Sequence, residues 1–328
     1  MRKIRVGLLE KKRGNFKLQE KFIGKENVND TTDIEVQHHY DALKRAGYEV
    51  IKLKWSKNII ADLINLDVDI VFNVSSIVEA AILEELNIKY VGSNIFGIIK
   101  ATDKGLAKEI WIENDLPTSP FVIAKDIADC DVFKNSPPFD YPLFIKPVAG
   151  RGSSGIDKSS IVFSYVQLIE GVKQRIEKIR QPVLIEKYII GKEITCGIIG
   201  NGQNINALPL LEIDYKAGDK FLTFDKKELD NDKFFCPARL SSNRANSLKE
   251  LAIKAYKSVG LRDYGRVDMI LSEDGPYLLE VNSFAGLMCI PIEKPHSYMG
   301  FMAVAEGKSG AEFLDEIIMS ALKRYKMN

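Results

Sequence analysis

Over roughly its first 95 residues the chain alternates short apolar runs with segments of helical periodicity, and this alternation restricts the fold more than any other feature. "KIRVGLL", "YEVIKLKW", "VDIVFNV" and "NIKYVGS" read as strands. Between them, "DIEVQHHYDALKRAG" carries Val36, Tyr40 and Leu43 at helical spacing, with Gly47 just past its end, and "SIVEAAILEEL" is a second helix. Strands that alternate with helices bury both by forming a parallel sheet with helices on its two faces. The polar, glycine-containing segment 10 to 31 is expected to be a long loop.

A second unit starts near Ile98. "TDKGLAKEIWIENDL" reads as a helix stopped by Pro117, and "SPFVIAK" and "YPLFIKPV" as strands parted by the loop "NSPPFD". Beyond "AGRGSSG" a strand "SSIVFS" leads into a helix capped by Ser164 and Gln167. Its expected apolar stripe is Val166, Ile169, Val172, Ile176 and Ile179. "PVLIEKYI" is again a strand. Strands then dominate to about residue 290, broken by the helix "SLKELAIKAYKSVG", and the helix "AEFLDEIIMSALKRY" follows near the end.

"GRGSSG" (Gly150, Gly152, Gly155) spells G-x-G-x-x-G, but it lies between two strands in mid-chain. The dinucleotide fingerprint instead opens a helix in an early βαβ unit. No GxxxxGKS/T stretch occurs, so the pattern excludes a P-loop. A glycine and serine flap can still wrap backbone N–H groups around phosphate oxygens. Lys146, at the end of the strand that enters the flap, would suit a nucleotide phosphate; an ordinary exposed lysine is the plain alternative.

The stretch "GRVDMILSEDGPYLLEVNSF" supports the phosphate reading. Arg266 and Asp268 share a strand face, as do Glu280 and Asn282. A three-residue loop over 273–275 pairs Asp268 with Glu280 and Arg266 with Asn282, placing all four on one face. A two-residue Asp-Gly loop puts the pairs on opposite faces, and Pro276 disfavours it because proline cannot donate to the ladder. Two facing carboxylates repel unless a cation lies between them, and an added amide oxygen makes the set suited to Mg²⁺ carrying phosphates. Arg266 could stabilise charge on a transferring phosphoryl group or a tetrahedral intermediate. The opposite face, Val267, Met269, Leu271, Leu279 and Val281, is expected to be the core side.

Composition removes other classes. With 46 Lys and Arg against 45 Asp and Glu, the net charge of +1 leaves no electrostatic footprint for nucleic acid. No apolar run approaches the roughly 18 residues that span a bilayer, and the N-terminal stretch lacks a signal-peptide pattern. Four cysteines without a CxxC and three histidines leave little for zinc. Reduced thiols in a cytoplasmic protein are expected, with His38 and His39 on a helix surface.

The ordered motifs "YVGSN…TDKGLAK", "FIKPVAGRGSSG", "IEKYIIGKEITCGIIG", "FFCPARL" and "GRVDMIL…YLLEVNSFAGL" resemble the ATP-grasp superfamily, within it the D-alanine–D-alanine ligase branch. The resemblance covers most of residues 90 to 290. It implies an α/β (α+β) ATP-grasp fold: an N-terminal doubly wound domain over 1–97, a central subdomain over 98–188, and a C-terminal subdomain over 189–328 carrying the metal hairpin. ATP would lie clamped between two antiparallel sheets. Lys104 and Lys146 match the phosphate lysines, and Gly152, Ser153 and Ser154 the closing flap. Glu186, Lys187 and Ile189 match the linker at the adenine, and Glu193 the ribose carboxylate. Asp268, Glu280 and Asn282 match ligands of two Mg²⁺ ions (Mn²⁺ being an alternative), Arg266 the intermediate-stabilising arginine, and Lys226 or Lys227 the lysine of the loop before "FCPA". A homodimer is expected on the same ground.

The implied chemistry is carboxylate–amine ligation through an acylphosphate, done by positioning and charge neutralisation. The departures fall where small-molecule carboxylate and amine substrates should bind. Glu10 stands in weakly for the family's N-terminal glutamate, and Glu79 for its acidic loop. Glu228 follows Lys227 where the family has tyrosine, and no serine lies near Pro291. The leading expectation is therefore a ligase for an acid other than D-alanine. A D-alanine–D-alanine or D-alanine–D-lactate ligase is the alternative, and a nucleotide-binding protein without ligase activity the third reading.

Overall fold

Strand β1 (Arg5–Glu10) is apolar without alternation, and the structure, a computed structural model, shows why: it lies inside a parallel sheet covered on both faces. The described residues are 2–10, 31–73, 77–150, 155–215, 233–289 and 297–327. The sheet runs β2 (Glu49–Lys54), β1, β3 (Ile70–Phe72), β4 (Tyr90–Val91), all parallel. Val6 and Leu8 pack with helix Thr31–Arg45 and the C-terminal helix Gly310–Arg324. Leu9 packs on the other side with Ala80 and Leu83 of helix Ile77–Glu85. Helix Ile59–Ile64, absent from the sequence reading, presses Ile59 and Leu63 onto that second face; six residues are too short to show a helical period. The segment expected as a loop over 10–31 lies almost wholly outside the described residues.

His38 and His39 are not on the surface. Both are buried; His39 meets Phe72 edge-on at 5.8 Å, and His38 Nε2 accepts from the Cys289 N–H at 3.4 Å. The expectation failed because the start of the C-terminal helix, at Gly310, lies against His38 and covers a helix face that looks solvated when read alone. Cys130, Cys196, Cys236 and Cys289 are free thiols, all but Cys236 buried.

The second sheet is antiparallel, in the order β5 (Phe121–Ala124), β8 (Val183–Lys187), β6 (Leu143–Pro147), β7 (Ile161–Val162). β6 and β7 are neighbours, so the glycine-rich stretch joins adjacent strands. Helix Tyr165–Ile179 covers the sheet. Ser164 caps it, while the Gln167 side chain accepts from Phe163 N at 2.7 Å, one residue before the expected donor. The buried face is Leu168, Gly171, Val172 and Arg175; Val166 is 73% exposed, so the expected stripe is turned away at its start.

The third sheet is built around β9 (Lys192–Asn201). It runs β12 (Lys233–Phe235), β11 (Leu211–Asp214), β9, β13 (Tyr264–Ser272), β14 (Gly275–Asn282), with β10 (Asn204–Ala207) also on β9. Helices Ser242–Ser258 and Lys104–Glu113 share its core, and Trp111 Nε1 donates to Ala255 O at 3.3 Å. Helix Lys104–Glu113, grouped with 98–188 on sequence, thus packs on the third sheet. Helix Tyr298–Ala305 was missed, because "YMGFMAVA" is apolar all round and shows no period.

The hairpin pairs Arg266 with Asn282 and Asp268 with Glu280, as the one-face reading requires. The turn is different. Ser272 pairs with Gly275 around a tight Glu273-Asp274 loop, and a bulge beside Asp268 then shifts the register by one residue. Leu278, not Leu279, therefore joins the core, and Leu279 lines the cleft.

One buried carboxylate ties the first sheet to the third. Asp263, with φ +66°, accepts from Gly92 N at 2.8 Å, Asn201 Nδ2 at 2.8 Å, and Arg324 Nη2 and Nε at 2.7 and 3.0 Å. No helix among the described residues is long and apolar enough to cross a membrane.

Candidate functional site

The second and third sheets enclose a cleft of about 560 Å³. Lys104, Lys146, Glu186, Lys187, Ile189, Glu193, Arg266, Asp268, Glu280 and Asn282 all line it, although they span 179 positions of sequence (104 to 282). Gly152, Ser153, Ser154 and Lys227 lie outside the described residues.

At one end, cations converge. Lys104 opens its helix behind the N-cap Asp103, and its Nζ lies 3.1 Å from Gly150 O and 3.7 Å from Glu280 Oε2. Burial lowers its pKa, against the charge of Glu280. Lys146 Nζ is 2.7 Å from Glu186 Oε2. The other Glu186 oxygen accepts from Lys108 Nζ at 2.7 Å and Ser119 Oγ at 2.9 Å. Burial alone would raise the Glu186 pKa, but the Lys108 and Lys146 charges override it and hold the carboxyl at about 2.

That depression has a measurable result. Because the folded pKa lies below the ordinary 4.5, the Glu186 contribution is complete above pH 4.5 and is lost as pH falls toward 2. About 3 kcal/mol is at stake at roughly 1.4 kcal/mol per pH unit. In urea titrations between pH 5 and 2, Glu186→Gln should flatten the acid loss of stability; an unchanged slope would contradict the assignment.

Beyond Glu186 the chain leaves β8 as Lys187–Ile189. The Phe144 and Tyr188 rings stack at 6.3 Å and 22°, giving this end a flat apolar character. Glu193, on β9, accepts a hydrogen bond from Tyr215 Oη.

At the hairpin, Arg266 Nε and Nη2 each lie 2.7 Å from an oxygen of Asp268, a bidentate pair along one strand. Burial lowers the Arg266 pKa, but the Asp268 charge outweighs it and the net shift is upward. The Tyr298 ring lies 4.9 Å from the guanidinium, and Thr195 Oγ1 donates to Asp268 Oδ1 from β9. Asn282 Nδ2 donates to Asp268 Oδ2 at 2.9 Å and to Glu280 Oε1 at 3.2 Å. Burial pushes the Glu280 pKa up, yet Lys104, Lys146 and Arg266 bring it to about 2.

The donor set fits a hard divalent cation. Both carboxylates share a face, and turning the Asn282 amide over would present a third oxygen. Among the described residues no group of three or more His, Cys, Asp or Glu converges on a metal site. A cation here would thus need water or phosphate oxygens as well, as Mg²⁺ usually does.

Lys108, Ser119, Thr195 and Tyr298 escaped the sequence reading. Lys108 had a signal, one helical turn after Lys104 on the same stripe as Ala107 and Trp111. Thr195 had none, since its place opposite Asp268 depends on the β9–β13 register.

A family profile described as "D-ala D-ala ligase C-terminus" matches residues 110–319. Among curated proteins, the D-alanine–D-alanine ligase of Ralstonia nicotianae is 30% identical over 247 residues, 73% of this chain and 69% of the relative. That of Desulfotalea psychrophila is 32% identical over 251 residues, 74% and 73% respectively. Among solved structures, the Bacillus anthracis D-alanine–D-alanine ligase complexed with ATP superposes with a TM-score of 0.74 at 23% identity, covering 98% of this chain and 99% of that one. The VanG D-Ala:D-Ser ligase of Enterococcus faecalis gives 0.75 at 19%, covering 98% and 100%. These structures share the ATP-grasp fold expected from the motifs.

Proposed function

This chain belongs to the D-alanine–D-alanine ligase family and is an ATP-dependent, carbon–nitrogen bond-forming ligase that needs a divalent metal; we propose that it joins two D-alanine molecules. The observation that carries this is the named activity of its relatives, which favours the D-alanine alternative. The expectation of a different acid found no support there.

In this reading the carboxylate of one D-alanine attacks the γ-phosphorus of ATP, forming an acylphosphate and ADP. The amine of the second then attacks the acyl carbon, phosphate leaves, and the dipeptide remains. Lys104 and Lys146 balance the phosphate charge; Glu186, Lys187 and Ile189 border the adenine, and Glu193 meets the ribose. Asp268, Glu280 and Asn282 would hold Mg²⁺, two ions in the family pattern with Mn²⁺ as an alternative. Bound there, the metal neutralises charge on the phosphates. Arg266 faces the intermediate, fixed by Asp268 on one side and Tyr298 on the other. By the family pattern Gly152, Ser153 and Ser154 would close over the phosphates, and Lys227 would act from the loop before "FCPA".

Support for an amino-acid substrate comes from one acid at the carboxyl end of a parallel strand, where α/β sheets commonly bind ligands, and a second in the first turn of the helix after the neighbouring strand. Glu10 ends β1, and the buried Glu79 follows β3; both suit an ammonium group. Free ATP and D-alanine place the reaction in the cytoplasm, and a homodimer is the assembly we expect.

The test is ADP and phosphate release with D-alanine alone, against L-alanine and against D-alanine paired with D-serine or D-lactate. D-alanine alone should support turnover. Release only with another acid–amine pair would overturn the substrate assignment.

A further inference from the structure

Lys108 is a fully buried ammonium that does not line the cleft. Burying such a group costs several kcal/mol unless its partners compensate, so a packing role alone would favour an apolar side chain. Its partners are well defined. Nζ lies 2.7 Å from Glu186 Oε1, 2.6 Å from Thr118 Oγ1, 3.0 Å from Ser119 Oγ and 3.4 Å from Leu278 O. Thr118 Oγ1 also donates to Leu278 O at 2.8 Å.

These contacts bridge the two sheets beneath the cleft. Glu186 belongs to β8 of the second sheet, and Leu278 to β14 of the third, two residues before Glu280. Burial pulls the Lys108 pKa down to about 8, while the Glu186 charge resists. Lys108 and Ser119 together occupy Glu186 Oε1, which leaves Oε2 to Lys146. Without Lys108, Ser119 alone would hold Oε1, and the uncompensated charge of Glu186 would draw the Lys146 ammonium back from the cleft.

We propose that Lys108 is a positioning residue for nucleotide binding: it fixes Glu186, and through Glu186 sets Lys146 at the phosphate end of the cleft. The proposal rests on the reading of this cleft as the ATP site.

The test combines Lys108→Met, Glu186→Gln and the double variant. ADP and ATP affinity are measured by calorimetry, which needs no turnover, together with KM for ATP and for D-alanine. Lys108→Met should weaken nucleotide binding at least tenfold with KM for D-alanine within twofold. On the Glu186→Gln background the same change should add less than twofold. Unchanged nucleotide affinity, or a full tenfold effect on that background, would overturn the proposal. If Lys108→Met does not fold, Ser119→Ala removes the second hold on the same oxygen and should weaken nucleotide binding at least threefold; no change there would also overturn it. Wild-type protein that binds ATP but leaves D-alanine unligated would count against the substrate assignment and not against this role.

Discussion

Replacing Glu280 by glutamine should lower kcat for ligation roughly 10³-fold, the scale set by removing one preorganised electrostatic contact to a transition state. The substitution keeps shape and removes charge. Glu280 is one of two carboxylates on the hairpin face, with Asn282 Nδ2 at 3.2 Å and Lys104 Nζ at 3.7 Å. In the proposed reading, removing its charge would weaken the hold on the divalent metal, and it leaves the buried Lys104 without its acidic partner at 3.7 Å. The check is ADP release against Mg²⁺ concentration, where the half-saturating Mg²⁺ should rise at least tenfold while the far-ultraviolet spectrum is unchanged. Wild-type kcat in Glu280→Gln would remove the hairpin from the chemistry. Asp268→Asn should lose as much activity and more stability, because it also deprives the Arg266 guanidinium of its bidentate partner.

Asp263→Ala should have the largest effect on stability, about 3–5 kcal/mol, the range for breaking a buried ion pair from one side. Asp263 is fully buried, and the variant leaves the Arg324 guanidinium, the Asn201 amide and the Gly92 N–H facing a void. The loss should appear in urea unfolding and as faster hydrogen exchange at the Gly92 amide, which now donates to Asp263. Exchange at Gly92 as slow as in the wild type would show that this link does not hold the first sheet to the third.

Local pattern revealed much of this. The strand and helix alternation of residues 1–95, the flap between antiparallel strands and the one-sided hairpin follow from periods of 2 and 3.6, which short windows display. The cleft residues came largely from ordered motifs, and ten of those expectations line one cleft. Features set by distant contacts stayed hidden. His38 looks solvated until the C-terminal helix arrives from more than 270 residues away, at Gly310. Lys108 reads as one more helical lysine until Glu186, 78 positions on, is brought to its Nζ. Substrate choice is the hardest to read, because isolated acidic positions such as Glu10, at a strand end, and Glu79, in a helix, carry no local pattern.

The bulge beside Asp268 separates two properties that a regular hairpin couples. In an unbroken ladder the number of residues in the turn dictates which way every side chain points. Here one extra residue in β14 acts as a parity correction, so the tight Glu273-Asp274 turn and the cleft-facing Arg266, Asp268, Glu280 and Asn282 coexist. Were the ladder to continue past Leu278 without the bulge, Leu279 would pair with Asp268 and Glu280 with Val267, turning Glu280 and Asn282 toward the core. Irregularity at that point, more than the turn itself, keeps the acidic face toward the cleft.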